Sequence, residues 1–150
     1  MKTCLAGYSD TLSLHTLGST VRAIQGRNGG LFWSEVQLER MRSSGDIIIV
    51  TKEHSRIVGF LIAMVHHPTK TARIEFDFFV EHSYRGKGVR QQLMWELEEQ
   101  MRARGILSVL FLTKMVDAAE DEGFLKRKFP SKSSPLVLME LVRKLDIKKA

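Results

Sequence analysis

The stretch Val80-Glu81-His82-Ser83-Tyr84-Arg85-Gly86-Lys87-Gly88-Val89-Arg90 decides the fold. The apolar run Phe78, Phe79, Val80 precedes its turn, and Val89, Leu93, Leu97 and Met101 then recur every fourth residue, the stripe of an amphipathic helix. A strand that ends in a glycine-rich basic turn and opens directly into a helix makes an anion site. The unpaired amides of the helix's first turn point outward, and the helix dipole favours negative charge. Gly86 and Gly88 let the backbone bend and approach a phosphate with no Cβ in the way. Arg85, Lys87 and Arg90 add positive charge around the same turn. The ligand that fits carries a phosphate or pyrophosphate. Taken alone, Arg-Gly-Lys-Gly is equally well a tight turn with solvated charges; the flanking strand and helix shift the balance towards function.

Two better-known glycine loops are excluded. A Walker A loop needs Gly five residues before its Gly-Lys pair and Ser or Thr after it, whereas Glu81 and Gly88 occupy those places. A dinucleotide fingerprint needs a third Gly three residues after the second, and Gln91 stands there.

Composition bounds the rest. A chain of 150 residues is expected to form a single domain spanning 1–150, long enough to bury a core. Its 43% hydrophobic and 27% charged residues are those of a soluble globular protein. No apolar run reaches the roughly 18 residues of a membrane span, and the first ten residues turn polar by Ser9 without a signal-peptide core. The single cysteine, Cys4, excludes an internal disulfide and suits a cytoplasmic location. The five histidines and that cysteine never reach metal-ligand spacing, so no metal is expected. A net charge of +6 points to an acidic partner, cofactor or nucleic acid without choosing among them.

Along the chain, residues 11–17 alternate weakly and read as a first strand, followed by a helix over 18–27 that Asn28-Gly29-Gly30 closes. Ser34 with Gln37 forms a capping-box pattern that opens a helix through about Arg42, stopped by Ser43-Ser44-Gly45. Residues 46–51 and 57–66 are β-rich runs on either side of a short polar turn, a hairpin. A strand over 73–80 leads into the glycine turn. After the helix from Val89, ended by Gly105, come strands over 106–113 and 136–142. On the expected helix, Glu96, Glu98, Glu99 and Arg102 lie off the buried stripe. No repeat, low-complexity segment or linker interrupts the domain.

This order, with the turn in that place, resembles the GNAT superfamily of N-acetyltransferases. The family pattern is Arg or Gln, two residues of any kind, Gly, any residue, then Gly or Ala, after an apolar strand; Arg85, Gly86, Lys87, Gly88 and Val89 match it. The resemblance implies an α/β (α+β) fold: a mixed, mostly antiparallel central sheet flanked by helices, with the phosphate-binding turn after the fourth strand. It also implies acetyl-CoA as acyl-donor cosubstrate. The amides of the turn would hold its pyrophosphate, and the backbone of Phe78, Phe79 and Val80 would pair with its pantetheine arm like an added strand. Tyr84 fits the family's residue before the Arg, in a packing role. Arg90 departs from the family's second small residue: it either leaves along the helix surface and adds a phosphate contact or crowds the site, and the first is preferred because a long side chain can leave along the helix surface.

The chemistry requires a deprotonated amine to attack a thioester, so a base or water path must take its proton. On the strand before the turn, Ile74, Phe76, Phe78 and Val80 share the core face, while Glu75, Asp77 and Phe79 share the face towards the transfer cleft. Asp77 is the first choice of base and Glu75 the second; for each, the competing reading is a carboxylate paired with Lys or Arg on a neighbouring strand. Many family members place a Tyr on the helix after the fifth strand to protonate the departing thiolate. The corresponding stretch, 114–129, contains no Tyr. If Gly123-Phe124 is the family's helix-ending pair, residues 124–129 form a strand hairpinned with 136–142; if the helix runs on to Lys128, that strand nearly disappears. The first is preferred because it completes the hairpin.

The leading reading is thus an acetyl-CoA-dependent N-acetyltransferase working by direct transfer to an amine. A GNAT-like acetyl-CoA-binding regulatory protein without efficient catalysis is the alternative. A basic nucleic-acid-binding domain ranks last, since no helix-turn-helix, aromatic RNA platform or zinc pattern is present. The acceptor is a small-molecule or peptide amine: a peptide, a polyamine and an aminoglycoside all stay open. No membrane partner is expected, and a homodimer is left open.

Overall fold

The computed structural model describes residues 1–25, 32–74, 78–111 and 137–139. Among the described residues, seven strands form one sheet: β1 (Lys2–Leu5), β2 (Ile47–Glu53), β3 (Arg56–His66), β4 (Thr71–Ile74), β5 (Phe78–Val80), β6 (Ser108–Phe111) and β7 (Val137–Met139). Their spatial order is β1-β2-β3-β4-β6-β7, with β5 paired to β3. Four pairings are antiparallel (β1–β2, β2–β3, β3–β4, β3–β5) and two parallel (β4–β6, β6–β7), so the sheet is mixed and mostly antiparallel, as expected. Helices α1 (Thr11–Gln25), α2 (Glu35–Ser43) and α3 (Val89–Ala103) flank it.

Side-chain alternation along β2 and β3 builds two cores. Ile47, Ile49, Leu61 and Ala63 face one way and pack, with Ala72, Ile74 and Val80, beneath Val89, Leu93, Leu97 and Met101 of α3. Ile48, Val50, Phe60 and Ile62 face the other way, under Leu14 of α1 and Leu38 and Met41 of α2. The β2–β3 hairpin turns at His54 and Ser55, both with positive φ (49° and 73°), the backbone of the two-residue turns that match strand twist. The capping box at α2 is formed as read: the Ser34 hydroxyl accepts from the Gln37 amide at 3.1 Å, and the Gln37 side chain accepts from the Ser34 amide at 2.8 Å.

The first 25 residues differ from the sequence expectation. Lys2–Leu5, which carries no strand signal of its own, is the edge strand, and residues 11–17 are helix rather than strand. The alternating leucines misled: Leu12 is 61% exposed, whereas Leu14 and Gly18 are buried, a helical spacing. The buried Asp10 carboxylate accepts the Gly7 amide at 2.8 Å and pairs with Lys52 of β2 at 2.6 Å, which ties the short 3-10 turn Tyr8–Asp10 to the sheet and starts the helix there. Gly18 does not break α1. It is the notch into which Phe32 fits, since a Cβ at that position would lie 2.3 Å from the Phe32 ring.

Glu98 is a second difference. It is 4% exposed, and Arg102 one turn on holds its carboxylate at 2.5 Å. Met94 and Met101 are also buried, so the covered stripe of α3 is wider than a strict four-residue repeat. Among the described residues, no helix is long and apolar enough to cross a membrane. Residues 114–129, with Gly123-Phe124, lie outside the described residues; of the expected last strand, Val137–Met139 is present as β7.

An exposed helix glycine replaced by alanine normally gains about 1 kcal/mol of stability. At Gly18 the sign should reverse: Gly18→Ala is expected to lose about 1–3 kcal/mol through overpacking against Phe32. In a Phe32→Ala background the same change should stabilise. Urea unfolding of the four proteins checks both signs.

Candidate functional site

The site is built where β5 ends and α3 begins. Both β4 and β5 pair with β3, yet out of step: Leu61 to Met64 is three residues along β3, while their partners Phe78 and Arg73 are five apart. β4 continues beside β6 in parallel up to the pair Ile74–Phe111. Among the described residues β5 pairs with β3 alone. The Glu81 amide donates to the Val58 carbonyl at 2.8 Å, continuing the register in which Val80 faces Gly59 and Phe79 faces Phe60. Bonded and non-bonded pairs alternate on an antiparallel ladder, so the main chain of Phe79 turns to β3 and that of Phe78 and Val80 turns away from it. The Val80 carbonyl indeed meets a group outside the sheet, Arg85 Nε at 3.4 Å.

Phe78 and Val80 lie on the α3 side of β5 and Phe79 on the α1–α2 side. A 3-10 turn, His82–Tyr84, follows, and then Gly86 and Gly88, both left-handed (φ 78° and 82°). Gly88 is the N-cap of α3; it offers no side chain to the first-turn amides, and no acidic residue stands in that turn. A Cβ at Gly86 or Gly88 would meet nothing within 4 Å. Glycine is therefore required here for φ rather than for room within the protein, and the space before the turn is open to a ligand.

A glycine that the sequence reading passed over seats the helix. On β3, a Cβ at Gly59 would lie 2.9 Å from Val89 Cγ1 and 3.1 Å from the Phe79 carbonyl oxygen. Its absence lets the first residue of α3 press onto β3 opposite Val80, bringing the helix end beside the strand end. A lone glycine inside a β-rich run was the available signal.

The charges of the turn are braced. Arg56 pairs with Glu81 at 2.5 Å, and this hydrogen bond raises the guanidinium's pKa above its ordinary range, so it stays charged. Lys87 lies 5.3 Å over the Tyr84 ring and Arg56 5.8 Å over the same ring, consistent with Tyr84 as a packing residue. Arg90 does not swing out along the helix as expected: its guanidinium lies 5.2 Å over the Phe78 ring.

Left-handed glycines, an N-cap without a side chain and the space before the turn together suit a pyrophosphate. A sequence model of the Acetyltransferase (GNAT) family matches residues 21–129. The chain belongs to that family. The fold agrees with solved structures of low identity. An aminoglycoside acetyltransferase from an uncultured soil metagenomic sample, in complex with sisomicin, has a TM-score of 0.68 at 16% identity over 94% of this chain and 95% of that one. A ribosomal-protein-alanine N-acetyltransferase from Brucella melitensis gives 0.62 at 15% identity over 93% and 100%. Glucosamine-6-phosphate N-acetyltransferase from Arabidopsis thaliana gives 0.62 at 19% over 88% and 92%. A search of curated proteins found no significant match.

This GNAT enzyme, an N-acetyltransferase, thus has Phe78, Phe79, Val80, Arg85, Gly86, Lys87, Gly88, Val89 and Arg90 gathered where β5 ends and α3 begins. The expected bases Glu75 and Asp77 lie outside the described residues. A separate open groove of about 760 Å3, lined among others by Tyr8, Thr11, Val36 and Glu39, contains none of the expected site residues. There the Thr11 hydroxyl, with Arg42 beside it, holds the Glu39 carboxyl below its usual pKa.

Gly59→Ala is expected to lower stability by about 1–3 kcal/mol by overpacking, since both close neighbours belong to elements of the site. Gly86→Ala meets no neighbour and should cost only the left-handed backbone, about 1–2 kcal/mol. Thermal melts give the stabilities. Amide exchange in the first turn of α3 should rise for Gly59→Ala and not for Gly86→Ala; equal exchange in both would refute the seating role.

Proposed function

We propose that the chain transfers the acetyl group of acetyl-CoA directly to an amine. The observation that carries this is the uncapped, left-handed Gly88 N-cap of α3 at the end of β5. In this reading the amides around Gly86, Gly88 and Val89, with Arg85 and Lys87, hold the pyrophosphate, and the outward main chain of Phe78 and Val80 pairs with the pantetheine amides. Bound acetyl-CoA supplies an activated thioester carbonyl to the acceptor. Asp77 takes the proton that the attacking amine must lose, directly or through water, with Glu75 as the second candidate on the same face. The C–N bond forms as the C–S bond breaks, and the CoA thiolate departs. No Tyr occurs in residues 114–129 to protonate it, but a thiol with an unperturbed pKa near ~8.5 leaves without a dedicated acid at moderate cost.

The neighbours are named for a ribosomal-protein alanine, an aminoglycoside and glucosamine 6-phosphate, so this fold does not select one acceptor. The acceptor of this chain is an amine, small or peptide-borne.

Acetyl-CoA at about 100 times its Kd should stabilise the fold by roughly 2.7 kcal/mol, seen as a thermal shift that ATP does not reproduce. Gly88→Val strains the left-handed φ and fills the space before the turn, so the shift should vanish while the protein still melts cooperatively. A folded Gly88→Val that binds acetyl-CoA like wild type would show the pyrophosphate assignment to be wrong.

Asp77→Asn keeps the side chain's shape and removes its basicity. Acetyl-CoA affinity should hold, while turnover of a screened amine falls by roughly 10²–10⁴-fold. The loss should shrink at high pH, where the amine is already deprotonated, and Glu75→Gln should matter less. Full activity of Asp77→Asn near neutral pH would assign the proton to another group; a wild type that binds acetyl-CoA yet acetylates no amine would favour a regulatory acetyl-CoA-binding role.

A further inference from the structure

We propose that Arg56, the first residue of β3, is a positioning residue for donor binding: it masks the Glu81 carboxylate, which the chain sets at the start of the phosphate turn. The proposal rests on the acetyl-CoA reading above. Glu81 is the N-cap of the 3-10 turn that leads from β5 to the two glycines. Its amide is bonded to the Val58 carbonyl, and Arg56 stands two residues before Val58 on β3, a diagonal neighbour that a long side chain can reach. The turn folds back on this end of the strand. The Tyr84 amide donates to the Glu81 carbonyl at 2.8 Å, and Arg85 Nε donates to the Val80 carbonyl at 3.4 Å. The charge of Glu81 therefore lies beside the stretch whose cations are assigned to the pyrophosphate.

Both oxygens of that carboxylate accept hydrogen bonds. Arg56 Nη1 donates to Oε2 at 2.5 Å, and the Ser83 hydroxyl donates to Oε1 at 3.1 Å. The Arg56 guanidinium also lies 5.8 Å from the centre of the Tyr84 ring, the ring over which Lys87 Nζ lies at 5.3 Å. The two side chains of the ion pair are 59% and 30% exposed. Pairs this exposed add little to stability, so the effect of this one falls on what the turn binds. With Arg56 in place the pair is neutral as the diphosphate arrives. Without it, Glu81 repels the ligand and competes with it for Arg85 and Lys87.

Calorimetry with CoA and with pantetheine, which lacks the phosphates, tests this at low and high salt without turnover. Arg56→Ala leaves one net negative charge on the pair. It should weaken CoA by roughly 5-fold at low salt, the upper range for an exposed ion pair, leave pantetheine unchanged, and lose most of its effect at high salt. Glu81→Gln leaves one net positive charge and should tighten CoA by a similar factor. The double variant Arg56→Ala/Glu81→Gln is neutral again and should bind CoA like wild type. Arg56→Lys keeps the charge and should do the same. The proposal is overturned if Arg56→Ala binds CoA like wild type, if it weakens pantetheine equally, or if its loss persists in full beside Glu81→Gln, which would make Arg56 a phosphate ligand or a brace of the turn. Should Arg56→Ala fail to fold, Glu81→Gln alone decides, since no gain in CoA affinity refutes the mask. A wild type that binds CoA no tighter than pantetheine also overturns the proposal, whereas a wild type that binds neither overturns the acetyl-CoA reading on which it stands.

Discussion

The pairing of one strand, β3, with both β4 and β5 is the constraint on which the rest depends. Because the two partners are out of step, β5 is not the straight continuation of β4 along β3. β4 keeps its place between β3 and β6, while β5 follows β3 towards the glycine turn. Gly59 supplies the other half of the geometry: without a side chain facing Val89, the N-terminus of α3 comes down beside the end of β5.

The electrostatics of the turn follow from the same placement. Glu81 would oppose an incoming anion, but Arg56, on β3 opposite the start of the turn, pairs with it at 2.5 Å. Lys87 and Arg90 lie over Tyr84 and Phe78, side chains already packed against the core. Long cationic side chains lose considerable rotamer freedom when they bind. Aromatic faces that hold them beforehand reduce that loss.

What was legible in the sequence was what is local. Ser34 with Gln37, the polar turn between β2 and β3, and the recurrence of Val89, Leu93, Leu97 and Met101 are signals within a few residues, and each produced its element. What was missed depends on distant partners. Lys2–Leu5 has no signal of its own and becomes a strand because β2 offers it an edge. The alternation of residues 11–17 yields to a helix because Asp10 is held by Lys52 on the sheet. Gly18 and Gly59 carry no local sign of their role, since each is a notch for a residue on another part of the chain, Phe32 and Val89. Glu98 reads as a surface residue because the width of the covered stripe is set by the sheet beneath α3. The backbone of the turn at 80–90 was legible for the same reason as the capping box: two glycines and a helix start define it.

The packing of the other face follows the opposite logic. Gly18 of α1 admits Phe32; Phe32 meets Phe60 of β3 edge-on at 5.7 Å between ring centres; Phe60 meets Phe79 of β5 at 5.8 Å. Four residues from four parts of the chain form one line of contact from the outer helix layer to β5. Packed interiors transmit volume changes because they contain little free space. A change of volume at Gly18 or Phe32 is therefore felt at Phe79. The glycine turn can be read from one segment because one segment makes it, whereas this aromatic line exists only once α1, β3 and β5 have come together.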